Sequence, residues 1–217
     1  KHRPLNTKFD YVPRDQQRKT CLTHVARSIG VVLQELAFPT IVDDSQTFGG
    51  IIRENYDLLP SNIVVIGDHS GFVGAGIATA TGLAIANEGR SILCLLGDQG
   101  FTNGIQALFA CKEENARIVF LLCDNGGSVS LNKEVTKNHG VEEGRFSWLA
   151  NASSVSYAAL AAGFGIKVWS VFQSDVQQLE IVLRKAFQYQ GPSVIHLKLK
   201  GDEITWDGVW ETKGMDE

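Results

Sequence analysis

The chain has 217 residues, of which 44% are hydrophobic and 20% are charged. This composition excludes a disordered tail and predicts one ordinary globular domain with a full core. The formal net charge is −4, and the charges are interspersed, so no basic stripe is offered to nucleic acid. No apolar run approaches the roughly 20 residues that a membrane span needs. No signal peptide is visible, so we expect a cytoplasmic protein with neither nucleic acid nor membrane as partner.

Helical and strand patterns alternate along the chain, which favours an α/β fold with a doubly wound parallel sheet and helices on both faces. The predicted helices span residues 14–36, 48–56, 74–87, 102–114, 153–162 and 175–189. The predicted strands span residues 40–42, 62–66, 91–96, 117–123, 167–171 and 193–199. We expect one domain over residues 15–200, with an N-terminal extension (1–14) and a C-terminal tail (201–217).

The four cysteines lie far apart, and two of them fall within apolar, strand-like runs. We expect them to be reduced core residues, and neither a disulfide framework nor a metal cluster is indicated. The chain begins at Lys1 rather than at methionine, which is compatible with a processed or fragmentary N-terminus. The stretch 124–150 lacks periodicity and is long for a connection, so we expect a functional loop there.

Polar and glycine-rich motifs follow two neighbouring apolar strands. Gly97-Asp98-Gln99-Gly100 follows the first strand and Asp124-Asn125-Gly126-Gly127 follows the second. Ligands of doubly wound sheets bind beyond the carboxyl ends of the strands. A carboxylate and an amide there can share one Mg²⁺, and the glycines and the next helix N-terminus suit a diphosphate. Each motif alone is also typical of a plain strand-to-helix turn.

A third glycine-rich motif, Gly71-Phe72-Val73-Gly74-Ala75-Gly76, precedes a helix of small residues. Close packing of helix on strand or a weak dinucleotide fingerprint are its simpler explanations. The dinucleotide interpretation is disfavoured, because the motif lies late in the chain and no acidic residue closes a strand about 20 residues further on.

Together these motifs resemble the diphosphate-binding domain of thiamine-diphosphate enzymes, whose signature is Gly-Asp-Gly, a spacer and Asn. Asp98 and Asn125 are 27 residues apart (125 − 98), the spacing common in the decarboxylase and acetolactate-synthase branch. The resemblance covers residues 15–200 and is strongest between Gly71 and Gly127. Gln99 departs from it, because Gly is usual at that position.

The resemblance implies thiamine diphosphate and Mg²⁺ as cofactors, with Asp98, Asn125 and the Gly127 carbonyl as metal ligands. Val73 would prop the cofactor into its bent shape, and the Gly71 carbonyl would accept a hydrogen bond from the aminopyrimidine. The implied cofactor-binding residues are Gly71, Phe72, Val73, Gly97, Asp98, Gln99, Gly100, Asn125, Gly127, Ser128 and Val129.

Candidate catalytic residues are His69, Ser128 and Ser130, which flank the implied cofactor site. A solvated loop histidine is an equally good interpretation of His69. His139, in the long loop, is a further candidate that could enter the site on loop closure. Two other histidines, His24 and His196, lie within predicted elements and are interpreted as structural, and Cys123 as core.

The resemblance also implies that the site is incomplete. Family members activate the cofactor with a glutamate from a separate domain, which does not fit in 217 residues beside this one. We therefore expect a partner subunit or domain that carries this glutamate, a hetero-oligomer, and a small 2-oxo acid substrate. Split sulfopyruvate or phosphonopyruvate decarboxylases are favoured slightly by Asn125-Gly126-Gly127 and Ser130, because acetolactate synthases usually show Asn-Asn. An acetolactate-synthase-like carboligase and a non-catalytic regulatory subunit, the latter suggested by Gln99, stay open as alternatives.

Overall fold

The computed structural model describes residues 21–67, 72–87, 89–128, 131, 135, 140 and 155–199. The expected N-terminal extension, the C-terminal tail and most of the long loop lie outside these residues. The α-helices are α1 (Cys21–Gln34), α2 (Thr47–Glu54), α3 (Gly76–Ala86), α4 (Asp98–Gly104), α5 (Ala107–Glu113), α6 (Tyr157–Gly163) and α7 (Leu179–Gln188). Across the described ranges, no helix combines the length and the apolarity needed to cross a bilayer.

The described residues form one sheet of six parallel strands in the order β2-β1-β3-β4-β6-β5. The strands are β1 (Pro39–Asp44), β2 (Val64–Gly67), β3 (Ser91–Gly97), β4 (Ile118–Asp124), β5 (Lys167–Phe172) and β6 (Ser193–Lys198). Helices lie on both faces, so the predicted doubly wound α/β fold is confirmed.

The two central strands are apolar along their whole length because both of their faces are covered. In β3, Leu93 and Leu95 pack into one core with helices α1 and α7. Cys94 and Leu96 point the other way and pack into a second core with α3, α5 and α6. Successive strand residues alternate between faces, which explains why the sequence shows continuous apolar runs and no alternation.

Two predicted helices differ from the observed ones. The helix predicted over 102–114 begins at Asp98 and is divided in two after Gly104. A Cβ on Gly104 would lie 2.4 Å from the carbonyl oxygen of Gly74, so α4 ends where it packs onto the turn before α3. The helix predicted over 175–189 starts as a 3-10 helix (Gln173–Gln178), in which Asp175 has non-helical dihedral angles. A polar run that bonds locally, Ser174 to Asp175, explains that irregular start.

Three of the cysteines, Cys94, Cys111 and Cys123, are buried and unbridged, which confirms their predicted place in the core. Burial raises the pKa of Cys94 well above its usual value. Burial also raises the pKa of Cys111 to about 11. These two side chains are therefore neutral thiols that act as small hydrophobic residues.

The carboxylate of Asp44, the last residue of β1, holds the turn that leads into α3. Its Oδ2 accepts hydrogen bonds from the backbone N–H groups of Gly74 (3.0 Å) and Gly76 (2.9 Å). Asp44 is only 6% exposed, and an anion at a helix N-terminus is stabilised by the helix dipole. Gly100 packs against the same residue, since a Cβ there would lie 2.8 Å from the Asp44 carbonyl oxygen. Asp44 therefore joins β1, the turn and α4.

We predict that Asp44→Ala lowers the free energy of unfolding by about 2–3 kcal/mol, because two N–H groups lose a charged acceptor. Urea titration followed by circular dichroism measures this change. The matched control is Asp57→Ala, which removes an exposed carboxylate and should change stability by less than about 0.5 kcal/mol. Equal losses in the two variants would contradict a holding role for Asp44.

Candidate functional site

The carboxyl ends of β1, β3 and β4 meet at one edge of the sheet. The registers pair Asp44 of β1 with Leu96 of β3, and Gly97 of β3 with Cys123 of β4. Asp98 and Asp124 thus lie at neighbouring positions on this edge, and the motifs to which they belong lie close together. The strand pairing alone brings the two sequence motifs together.

Asp98 is fixed at the start of α4. Its side chain is nearly inaccessible, at 4% exposure of the residue, and its Oδ1 accepts the backbone N–H of Gln99 at 2.8 Å. Its backbone carbonyl accepts the hydroxyl of Thr102 at 2.8 Å. A carboxylate in the first turn is favoured by the helix dipole. These contacts hold Asp98 in place and direct its second oxygen, Oδ2, toward the end of β4.

Asn125 meets that second oxygen. The structure places the amide oxygen of Asn125 at this point, 3.2 Å from Asp98 Oδ2 and 2.8 Å from the carbonyl oxygen of Gly127. Rotating the amide by 180° would put its nitrogen there as a donor to both oxygens, because the two amide atoms occupy equivalent places. A carboxylate, an amide and a backbone carbonyl therefore converge on one point, where they can offer three oxygens to a cation.

The glycines around this point leave room for a ligand. Gly126 has a φ of +90°, a conformation that favours glycine. Apart from its chain neighbours, no atom of the described residues lies within 4 Å of a Cβ built on it. A Cβ on Gly97 would meet only backbone atoms of Ser45, at 3.8 Å and beyond. Gly100 differs, because a Cβ there would lie 2.8 Å from the carbonyl oxygen of Asp44. Packing against Asp44 is therefore sufficient to explain a glycine at this position. Contact of Gly100 with a diphosphate stays a prediction.

Behind the site lies a buried pair formed by Asp124 and His196. The Nε2 atom of His196, on β6, is 2.9 Å from Asp124 Oδ2, and Asp124 Oδ1 accepts the N–H of Gly126 at 3.2 Å. Burial raises the pKa of Asp124, but the hydrogen bond and charge of His196, the Gly126 N–H and the charge of Lys198 outweigh it. The net pKa is therefore lowered, and Asp124 is a carboxylate that accepts both bonds.

Tyr157, the first residue of α6, packs against this pair. Its ring lies edge-on to His196 with centroids 6.0 Å apart, and equally 6.0 Å from Phe101 of α4. Burial and, after it, the charges of Asp98 and Asp124 raise the pKa of Tyr157 to about 12. Tyr157 is therefore a neutral phenol under ordinary conditions.

The turn before α3 lies beside the same edge of the sheet. Val73 is half-buried, and its carbonyl accepts a hydrogen bond from Asn103 Nδ2 of α4 at 3.3 Å. Phe72 is 65% exposed. The N–H groups of Gly74 and Gly76 bind Asp44, so these two amides are already used within the protein.

The structure brings together much of the set that the sequence singled out. Asp98, Asn125 and Gly127 converge, Ser128 is buried next to them in the chain, and Gln99 is half-buried in the first turn of α4. Their roles toward a cofactor stay predictions. The other candidates, His69, Gly71, Val129, Ser130 and His139, lie outside the described residues.

Three residues at this site were not identified from the sequence as functional: Asp44, Tyr157 and His196. Asp44 and Asp124 share one signal, an acidic residue that directly ends an apolar strand, and Asp124 was noted only as part of its motif. His196 was interpreted as structural, and it does lie within β6. Its contact with Asp124 depends on β6 lying beside β4, which the sequence did not reveal.

Comparisons with known proteins agree with this geometry. The acetolactate synthase isozyme 1 large subunit of Escherichia coli (strain K12) is 25% identical over 141 residues, which are 64% of this chain and 24% of that protein. The 3D-(3,5/4)-trihydroxycyclohexane-1,2-dione hydrolase of Shouchella clausii (strain KSM-K16) is 26% identical over 150 residues, which are 67% of this chain and 23% of that protein. The chain thus spans about a quarter of the length of these relatives.

A solved structure shares the fold. The thiamine diphosphate-dependent 4-hydroxybenzoylformate decarboxylase of Rhodococcus jostii RHA1 superposes with a TM-score of 0.67 at 18% identity. The superposition covers 82% of this chain and 33% of the decarboxylase. The family model for the C-terminal TPP binding domain of thiamine pyrophosphate enzymes matches residues 53–197, which is more than half of the chain. The chain therefore belongs to the thiamine pyrophosphate enzyme family, as a C-terminal TPP-binding domain.

Proposed function

We propose that this chain binds the diphosphate of thiamine diphosphate through a Mg²⁺ ion held by Asp98, Asn125 and the Gly127 carbonyl. The assembled enzyme then cleaves a 2-oxo acid. One observation carries the proposal: the carboxylate, the amide and the carbonyl meet at a single point. Membership of a TPP-binding domain family supports the choice of cofactor.

The spacing of the three groups fits Mg²⁺. Octahedral Mg²⁺ binds oxygen at about 2.0–2.1 Å, so neighbouring ligand oxygens lie about 2.9 Å apart. The inward amide atom of Asn125 lies 2.8 Å from the Gly127 oxygen and 3.2 Å from Asp98 Oδ2. With the amide oxygen at this position, both distances are close to the spacing of neighbouring Mg²⁺ ligands. The remaining positions are left for diphosphate oxygens and water, as is usual for Mg²⁺ bound with phosphates.

The protein's own part in the reaction is to bind and to orient. Bound there, thiamine diphosphate would supply a nucleophilic carbon for the keto group of the substrate and a thiazolium ring as the sink for the electron pair released with carbon dioxide. Asp98 supplies a negative charge that offsets part of the charge of the ion. Val73 supports the bent cofactor from the turn, and His69, Ser128 and Ser130 are the proposed catalytic residues.

We predict that Asp98→Ala lowers the affinity for thiamine diphosphate in the presence of Mg²⁺ by more than about 100-fold, the upper range for loss of an outer-shell partner of a metal. Isothermal titration calorimetry with Mg²⁺, and with EDTA in its place, measures the effect. The control is Asp57→Ala, which removes an exposed carboxylate outside the three glycine-rich motifs. Mg²⁺-dependent affinity that survives in Asp98→Ala would remove Asp98 from the ligands and reject the proposed site.

We also propose that a partner subunit or domain covers α3 and supplies the activating glutamate. Helix α3 has the sequence GIATATGLAIA, without a charged residue, yet Thr79, Gly82 and Ile85 on it are exposed. A helix that is apolar on all sides normally lies in an interior. Exposed Phe72 before α3 and Phe109 on the neighbouring α5 extend the same apolar surface.

We predict that Ile85→Lys weakens binding of this partner at least about 10-fold, because a charge would be buried at the interface. The control is Ile181→Lys on α7, on the other face of the sheet. Ile85 and Ile181 are matched in exposure, at 52% and 55%. The chain is purified with the protein that accompanies it, and analytical ultracentrifugation compares the complexes. Equal weakening by the two variants would reject α3 as the interface.

The reaction of the assembled enzyme has two candidate forms. Decarboxylation with protonation of the product is the first, and it is the activity in the name of the structural neighbour. Transfer of the acyl unit to a second carbonyl compound is the alternative, favoured by the acetolactate synthase among the curated relatives. Product analysis with pyruvate separates them, because acetaldehyde indicates decarboxylation and acetolactate indicates ligation. Tight cofactor binding without product from any 2-oxo acid would instead indicate a non-catalytic subunit.

A further inference from the structure

The two elements that carry the converging groups are linked behind the site by a buried chain of contacts. It runs from α4 through Tyr157 of α6 and His196 of β6 to Asp124 at the end of β4. Neither the strand pairing of β3 with β4 nor the contact of Asp98 with Asn125 is needed for this second connection. It therefore adds an independent constraint on the distance between α4 and the loop after β4.

On the β4 side, the connection ends on the backbone of the loop. Asp124 accepts the N–H of Gly126 through one carboxylate oxygen and the Nε2–H of His196 through the other. The Asp124 carbonyl also accepts the N–H of Leu199 at 2.8 Å. Gly126 has a φ of +90°, which favours glycine, and no side chain that could pack against neighbours. Within the described residues, the hydrogen bond that its N–H donates to Asp124 is therefore a main restraint on its position.

On the α4 side, the connection ends one turn after Asp98. The Thr102 hydroxyl in this turn donates to the Asp98 carbonyl. The neighbouring Phe101 ring packs edge-to-face on Tyr157, with centroids 6.0 Å apart and an interplanar angle of 83°. Edge-to-face pairs at this distance are favourable and directional, so Tyr157 fixes the rotation of the first turn of α4.

We propose that His196 and Tyr157 are positioning residues that hold the loop of Asn125 and the helix of Asp98 at metal-ligand spacing before any cofactor binds. This inference rests on the proposed function for its metal, and on the described contacts for the positioning itself. Residues behind the ligands of a metal site orient those ligands, and losing such residues typically costs about 10–100-fold in affinity. His196 acts through Asp124, and Tyr157 acts through Phe101.

The test compares His196→Leu, which removes the donor to Asp124, with His196→Gln, whose Nε2 can replace it. Tyr157→Leu removes the ring that contacts Phe101 and His196 and keeps an apolar side chain. Val194→Ala is the control for general loss of stability, because Val194 is a fully buried core residue of the same strand. Two readouts are taken: Mg²⁺ affinity at fixed thiamine diphosphate by calorimetry, and hydrogen exchange of the backbone amides of residues 124–128 in the cofactor-free chain.

We expect His196→Leu to weaken Mg²⁺ binding about 10–100-fold and to speed amide exchange at Gly126. His196→Gln should recover most of both, and Tyr157→Leu should give a smaller loss than His196→Leu. Val194→Ala should lower the melting temperature and leave Mg²⁺ affinity and the exchange of Gly126 unchanged.

The positioning role is overturned if His196→Leu leaves amide exchange at 124–128 unchanged, or if Val194→Ala has the same effects as His196→Leu. If His196→Leu does not fold, Tyr157→Leu decides the question, and unchanged Mg²⁺ affinity together with unchanged exchange at 124–128 in that variant would reject it. A wild-type chain and complex that bind no Mg²⁺ with thiamine diphosphate would refute the proposed function instead. The exchange data would still decide the positioning role, since they need no cofactor.

Discussion

The parallel pairing of β3 with β4 is the constraint on which the site depends. Its register places Gly97 beside Cys123, so the chain leaves both strands at the same edge and at neighbouring positions. The sheet itself thus brings together residues that are far apart in the sequence, such as Asp98 and Asn125. The register is strongly specified because both faces of these strands are buried in cores, and a shift by one residue would exchange the two faces.

Three carboxylates at this edge, those of Asp44, Asp98 and Asp124, have different roles because their surroundings differ. Asp44 and Asp124 each accept backbone N–H groups, so their charges stabilise a turn and a loop. Asp98 accepts the N–H of Gln99 with one oxygen, and its other oxygen faces Asn125. Two of the acids thus hold backbone in place, and the third lies at the point where the candidate metal ligands converge.

The sequence predicted the elements whose signal is continuous apolarity, such as β3 and β4, and the meeting of Asp98 with Asn125 followed from strand order. It missed the start of α4, because a glycine-rich motif was interpreted as a turn although Asp98 is already helical. It missed the partners of Asp44 and Asp124, because an acid that ends a strand looks the same whether it faces solvent or binds backbone. The pairing of His196 with Asp124 spans 72 residues and depends on β6 inserting between β4 and β5, which no local pattern encodes.

The uncharged helix α3 also bears on how the chain behaves while it is alone. Its bare apolar face has no charge to discourage self-association, and such patches promote aggregation. A surface that covers α3 would therefore protect the domain from aggregation as well as complete its packing.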